Sequence, residues 1–351
     1  MLIWTLTTLP LPLRYTWKIS RNASDSKTNL LVRVANEAEH YAGWGEAAPN
    51  VRYGETPAGL EAEFARLLAA GLAHVASVAD LETLLAAQEI SHALCFALES
   101  AYLHREAARQ GCSVAALLGV PAPVAAVPTA FSLPIMEPGV VAEFMREQNM
   151  LRFKLLKIKV NQESGYDLLR EVTRVAPNHE LLIDGNEAWA DADSLLGFLE
   201  NIGRLPGLRV RLLEQPLPAA CTADYEYLRP RTPYPLFADE SVTNTADFGA
   251  IARQFHGVNM KLMKAGGYRN GVQLLRQTQA HGLQTMIGCM VETSLGIWSG
   301  LQVSALASVC DLDGFLILRN EPFGLVQESE GLLTAAPQPA VFTSANDLTP
   351  E

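Results

Sequence analysis

The segment LLKIKV, Leu155–Val160, decides how this chain is read. Its leucines, isoleucine and valine mark a buried strand, yet Lys157 and Lys159 interrupt it. Side chains alternate along a strand, so residues two apart share a face. Both amines therefore point the same way, into crowded surroundings. Burying an ammonium group is costly unless it is paired or loses its proton. The question is what the two amines face.

Around this strand the chain alternates short apolar stretches with amphipathic ones. VAAVPTAF, LLKIKV, ELLIDGN, VRLLEQP, LFADES, VNMKLM, LQTMIGC and VCDLDGF read as strands. Stretches such as GYDLLREVTRVA and NGVQLLRQTQAHG read as the helices between them. Strands alternating with helices over residues 121–319 predict a (β/α) barrel. A doubly wound open sheet is the alternative, disfavoured because no G-x-G-x-x-G follows any strand. Residues 1–120 read as an α+β domain: a β-rich meander containing YAGWGEAAP, then alanine-rich helical segments such as ALCFALESAYLHREAARQ. The tail, 320–351, has no strong pattern and is assigned to pack on that first domain.

Composition narrows the function. The 351 residues carry a formal net charge of -11, which argues against a nucleic-acid partner or an anionic membrane surface. No apolar run is long enough to span a bilayer. The N-terminus lacks a basic leader and is broken by Pro10 and Pro12, so it does not read as a signal peptide. The five cysteines are scattered without a C-x-x-C pair, which suggests neither zinc nor a disulfide framework and fits a reducing cytoplasm.

Barrel enzymes carry their chemistry at the C-terminal ends of the strands. The polar residues of this chain gather there: Lys157 and Lys159, then Asp184, Glu214, Asp239 with Glu240, Lys261, and finally Asp311 and Asp313. A single acid in such a place is ordinarily a helix cap, and a single lysine reaches for water. Five successive strand ends in the order Lys, Asp, Glu, Asp, Lys are a pattern rather than independent accidents. Asp184, Glu214 and Asp239 form an all-oxygen ligand set. That suits one Mg²⁺ per site, with Mn²⁺ able to substitute, and not zinc. Lys159 and Lys261 lie on strands separated by the three acid-bearing ones, so a closed barrel sets them on opposite sides of the mouth. Two bases facing one held substrate suit removal of a proton α to a carboxylate and its return to either face. The cation offsets the charge of the resulting enediolate. Lys159 is then the base, and Lys157 supplies positive charge to the carboxylate and lowers its neighbour's proton affinity. Lys261 is preferred to Lys264 as the second base because it ends the strand pattern, whereas Lys264 falls in the Gly-rich loop after it.

With these residues in place, the sequence resembles the muconate-lactonizing subgroup of the enolase superfamily. The matching pieces are K-I-K at 157–159, D-G-N from Asp184, E-Q-P from Glu214, D-E-S from Asp239 and V-N-M-K ending at Lys261, together with GWGEAAP and VAALLG in the first domain. Members of that superfamily use a Lys or His base with Mg²⁺. The resemblance implies a modified (β/α)8 barrel, (β/α)7β, with an α+β capping domain. NMKLMKAGG, IGCMVETSLG and DLDGF look most like the dipeptide epimerases, where paired aspartates bind the substrate's ammonium group. That role falls here to Asp311 and Asp313. The resemblance also implies a small-molecule dipeptide substrate of the L-Ala-D/L-Glu kind, a place in peptidoglycan salvage and a homo-oligomer. Two departures stand out: Gly185 where the family has Ala, and Cys289, near the substrate, where it has Ser. Capping loops of the family close over the substrate; here they are KISRNASDSK and APNVRYGET. Arg21 resembles an arginine that pairs with a substrate glutamate, and Thr129 is a further substrate contact. Other subgroup reactions remain open: muconate cycloisomerase, o-succinylbenzoate synthase and N-acylamino-acid racemase. So does a barrel that only binds a small acid.

Overall fold

The computed structural model describes residues 1–36 and 41–336. Three antiparallel strands open the chain: β1 (Ile3–Lys18), β2 (Ala23–Ala35) and β3 (Ala42–Ala47), in the order β1-β2-β3. Helices α1 (Pro57–Ala69), α2 (Val78–Ala87), α3 (His92–Gln110) and α4 (Val114–Leu117) complete the capping domain. Thr56, Ser77 and Ser113 cap α1, α2 and α4 by accepting a backbone N–H three residues on.

Strand β3 explains how the cap closes. Every residue of AGWGEA is buried, and Gly43 and Gly45 share a face. A Cβ on Gly43 would lie 1.8 Å from Ala101 O, and one on Gly45 2.0 Å from Ala97 O. The strand backbone thus rests directly on α3, which is buried along most of its length.

The barrel follows. A short β4 (Val127–Pro128) precedes β5 (Ala130–Leu133), α5 (Val141–Glu147), β6 (Leu155–Lys159), α6 (Gly165–Val175), β7 (Glu180–Asp184) and α7 (Ala192–Ile202). Then come β8 (Arg209–Glu214), α8 (Thr222–Leu228), β9 (Leu236–Ala238), α9 (Phe248–Gln254), β10 (Gly257–Lys261), α10 (Leu262–Ala265) and α11 (Tyr268–Ala280). Last are β11 (Gln284–Gly288), α12 (Ser294–Gln302) and β12 (Val309–Asp311), then the hairpin β13 (Val326–Ser329) and β14 (Leu332–Ala335). Strands β5 to β12 lie in sequence order in one parallel eight-stranded sheet, which closes into the modified (β/α)7β barrel. Closure between the first and last strands uses side chains: Thr129 Oγ1 accepts Leu312 N–H at 2.8 Å, and Asp313 Oδ2 accepts Ser132 N–H at 2.7 Å.

Two readings shift. The first barrel strand is Ala130–Leu133 rather than the whole of VAAVPTAF, because Val127–Pro128 pairs with β14 and Thr129 N–H is taken by Gly331 O. The tail does not pack wholly on the first domain. Its hairpin β13–β14 adds to β4, and Glu328 pairs with Arg152 of the barrel at 2.7 Å. Residues 337–351 of that assignment lie outside the described residues.

Alternation sorts the barrel interior into layers. Ala130, Leu155, Leu182, Leu212, Phe237, Met286 and Val309 form an apolar cluster of their own, the barrel floor. Gly257 leaves β10 out of it, since a Cβ there would fall 2.4 Å from the Phe237 ring. Two residues further along each of the eight stretches stand Ser132, Lys157, Asp184, Glu214, Asp239, Asn259, Gly288 and Asp311. The same parity that builds the floor carries these residues, all polar except Gly288, to the mouth.

The β3–α3 contact makes a direct test. Gly45→Ala should lower unfolding stability by roughly 1–3 kcal/mol through overpacking, read as a lower urea midpoint. An unchanged midpoint would contradict the close approach.

Candidate active site

At the barrel mouth the opening question has its answer. Lys157 Nζ lies 2.7 Å from Asp311 Oδ2, 2.9 Å from Glu214 Oε2 and 3.0 Å from Asp184 Oδ2. Lys159 Nζ lies 2.6 Å from Asp184 Oδ2. Across the mouth, Lys261 Nζ meets Asp239 Oδ2 at 2.9 Å, and Lys264 Nζ meets Asp239 Oδ1 at 2.6 Å. All these groups are buried, with Asp184 and Glu214 at 0% exposure, so each charge depends on its partner.

Titration follows the pairing. Burial alone would lower Lys157, but Asp184, Asp311 and Glu214 more than offset it and hold the amine well above the usual lysine range. Lys261 is raised in the same way, chiefly by Asp239. Lys264 is lowered, because burial outweighs the pull of Asp239. Asp184 and Asp239 are depressed against the opposing effect of burial, by Lys157 with Lys159 and by Lys261 with Lys264. Glu214 is pushed up to about 7 by burial and then by Asp184. Lys157 and Lys159 share Asp184 Oδ2 as an ion-pair partner.

The acids nonetheless suit a hard cation. Asp184, Glu214 and Asp239 offer oxygen donors at the ends of three consecutive strands. Glu214 Oε2, although close to Lys157, is buried without an aligned hydrogen bond, and so is Asp311 Oδ1. Among the described residues no three acids, histidines or cysteines are already drawn into a ligand set, because the carboxylates face ammonium groups.

The other expected residues divide. Asp311 and Asp313 both line the mouth cavity, although β12 ends at Asp311 and Asp313 sits in the turn beyond it. Asp313 is pushed up to about 6 by burial and then by Asp311. Cys289 lines the cavity too; its thiol donates to Asp311 O, and burial raises it well above the usual range. Thr129 does not line it: its hydroxyl ties β12 to β5, and Ser132 is the cavity residue of that strand. Arg21 reaches the mouth, but Nη1 is engaged by Glu187 Oε2 at 2.9 Å and Asn186 O at 3.0 Å, and Nη2 by Glu240 Oε1 at 2.8 Å. Gly185 is demanded locally, since a Cβ would lie 2.7 Å from Pro216 Cα.

Sequence reasoning missed several residues. Lys264, placed in a loop by pattern, is 1% exposed on α10 and donates to Asp239 O, Val242 O and Asn259 O as well as to Asp239 Oδ1. Asn259 donates to Glu214 Oε1 at 2.8 Å; standing two before Lys261 on one strand, it was visible by parity. Gln215 Oε1 accepts Asp239 N–H at 2.8 Å, fixing one acid strand against the next. Tyr53, on the APNVRYGET loop, and Lys27, the last residue of KISRNASDSK, also line the cavity, which encloses about 570 Å³.

A family model described as Enolase C-terminal domain-like matches residues 140–320. The chain is 31% identical over 335 residues, 94% of each chain, to the L-Ala-D/L-amino acid epimerase of Pedosphaera parvula. It is 30% identical over 341 residues, 95% of this chain and 96% of the relative, to the hydrophobic dipeptide epimerase of Roseobacter litoralis. A solved structure of an enolase family member from Agrobacterium tumefaciens with homology to dipeptide epimerases, holding sodium and L-Ala-L-Glu with an ordered loop, superposes with a TM-score of 0.84 at 27% identity, covering 96% of this chain and 99% of that one. A barrel matched over half the chain, and relatives aligned along nearly all of it, show that the chain belongs to the enolase superfamily, among its dipeptide epimerase-like members.

Proposed function

We propose that the protein epimerises a dipeptide of the L-Ala-D/L-Glu kind at the α-carbon of its C-terminal residue, with Mg²⁺ as cofactor. The observation that carries the reading is Lys159 and Lys261 on β6 and β10, with three acid-bearing strands between them in a closed eight-stranded barrel. One amine, once neutral, accepts the proton from the α-carbon. The C–H electron pair moves into the carboxylate as an enediolate, and the opposite ammonium delivers a proton to the other face. Asp184, Glu214 and Asp239 are the residues that would hold Mg²⁺. When bound, it would supply positive charge to the substrate carboxylate and compete with the lysines for these oxygens, easing loss of an amine proton.

The chain's own groups account for the substrate's main-chain charges. Lys157, buried at the centre of the acid cluster, is the cation nearest the reacting carboxylate. Asp311 Oδ1, buried and unpartnered, and Asp313 offer acceptors to a free ammonium group. Relatives support the substrate class. Besides those above, an L-Ala-D/L-Glu epimerase from Escherichia coli is 30% identical over 308 residues.

A library of dipeptides incubated in D₂O with the Mg²⁺-loaded protein tests the proposal. Mass spectrometry should find one deuterium in the epimerised C-terminal residue, and chelation with EDTA should stop it. Full activity after EDTA would remove the metal from the reading, and absence of exchange in every dipeptide would remove the epimerase. The ammonium site has its own test. Asp313→Asn should cut kcat/KM for a free dipeptide roughly ten- to hundredfold, equivalent to the ~1.5–3 kcal/mol of a charge-assisted hydrogen bond. The variant should lose less on the N-acetylated analogue. Equal losses on both substrates would favour the N-acylamino-acid racemase reading.

A further inference from the structure

The three acids at the mouth are engaged in one way, each by a single oxygen. Asp184 Oδ1 accepts the Asn186 backbone N–H at 2.9 Å, Glu214 Oε1 accepts from Asn259 Nδ2 at 2.8 Å, and Asp239 Oδ1 accepts from Lys264 Nζ at 2.6 Å. The other oxygen of each acid faces the lysines of the mouth. Asp184 Oδ2 meets Lys157 and Lys159, Glu214 Oε2 meets Lys157, and Asp239 Oδ2 meets Lys261.

The donors behind the acids are fixed. Lys264 is 1% exposed and also donates to Asp239 O, Val242 O and Asn259 O, so its amine has no N–H to spare. Asn259 is fully buried, and a Cβ on Gly288 would fall 2.6 Å from its Oδ1 and 2.8 Å from its Nδ2, so the amide is held against the glycine backbone. The left-handed φ of 42° at Asn186 turns its N–H back to Asp184, while Ser20 and Arg21 hold its carbonyl. Neither Lys264 nor Asn259 lines the cavity.

A carboxylate chelates an ion only if both oxygens are free to turn toward it. Here chelation would sacrifice a charge-assisted hydrogen bond at each acid, and at Asp239 it would bring the ion up to an ammonium group. Mg²⁺ does not need it, because its small octahedral shell keeps several waters. Ca²⁺ is larger, takes about six to eight oxygens and often draws carboxylates in by both. We infer that Asn259 and Lys264, with the Asn186 N–H, limit each acid to one oxygen and so make the site select Mg²⁺ or Mn²⁺ against Ca²⁺; the inference rests on the reading that these acids hold Mg²⁺. Asn259 and Lys264 are positioning residues, acting on the ion through Glu214 and Asp239.

Calorimetric titration of the chelator-stripped full chain with Mg²⁺ and, separately, with Ca²⁺ tests this without turnover. The unaltered protein should prefer Mg²⁺. In Asn259→Ala and in Lys264→Met the ratio of the two affinities should move toward Ca²⁺ by about tenfold or more, the usual scale for losing a partner of a metal ligand. A purely structural role predicts that both ions bind more weakly by the same factor. An unchanged ratio, or a preference for Ca²⁺ in the unaltered protein, overturns the inference. If Lys264→Met does not fold, Asn259→Ala decides, because it leaves both lysine partners of Asp239 in place. Failure of the unaltered protein to bind either ion overturns the metal reading together with the inference, whereas binding with an unchanged ratio overturns the inference alone.

Discussion

Everything at the mouth depends on a mutual neutralisation inside the barrel. Four lysines and four acids, Asp184, Glu214, Asp239 and Asp311, are buried within a few ångströms of one another. Neither set could be buried alone, because removing one partner of a buried pair leaves an uncompensated charge. Strand alternation makes the arrangement possible. The residues that fill the floor with Leu155, Leu182 and Leu212 oblige Lys157, Asp184 and Glu214, two positions on, to point inward as well. The sheet delivers the charges, and the charges stabilise one another. Lys264 and Asn259 do not line the cavity, yet they fix how Asp239 and Glu214 present their oxygens.

A second set of polar ties fastens the capping domain across the mouth. Glu46 on β3, wholly buried, accepts from Asn29 Nδ2 at 2.7 Å, from Thr293 Oγ1 at 2.6 Å and from backbone N–H groups of Thr293 and Gly296 at the start of α12. At the open side, Glu187 gathers Arg21 and Arg52 from two different capping loops, and Ser20 Oγ donates to Asn186 O at 2.8 Å. Asn186 and Glu187 have φ of 42° and 64°, left-handed values that non-glycine residues adopt at some cost and that aim Glu187 back over the mouth. These half-exposed arginine pairs are individually weak. The Glu46 network, by contrast, is buried throughout.

Much of this was legible from parity and strand ends. The barrel, the order Lys, Asp, Glu, Asp, Lys and the cavity position of Asp311 and Asp313 follow from residues that repeat at fixed places on successive strands, and eight repeats make such a signal strong. What escaped were contacts between elements distant in sequence. Nothing around Thr129 reveals that its hydroxyl closes the barrel against Leu312, 183 residues later. Nothing in SRNAS reveals that Glu187 and Glu240 occupy Arg21, since both acids lie more than 160 residues away. Lys264 was misplaced because α10 is a helix of only four residues, too short to show a helical period. Gly185 looked like a departure from a family pattern until Pro216 was found pressed against it.

The central claim is that Lys159 and Lys261 serve opposite faces of one carbon. The most direct measurement is α-proton exchange with D₂O by the Lys159→Ala and Lys261→Ala proteins, each given the two C-terminal stereoisomers of a single dipeptide separately. Each variant should exchange deuterium into one stereoisomer only, the opposite one for each variant, and neither should interconvert the pair. Exchange into both stereoisomers by either variant, or continued epimerisation, would contradict the two-faced arrangement.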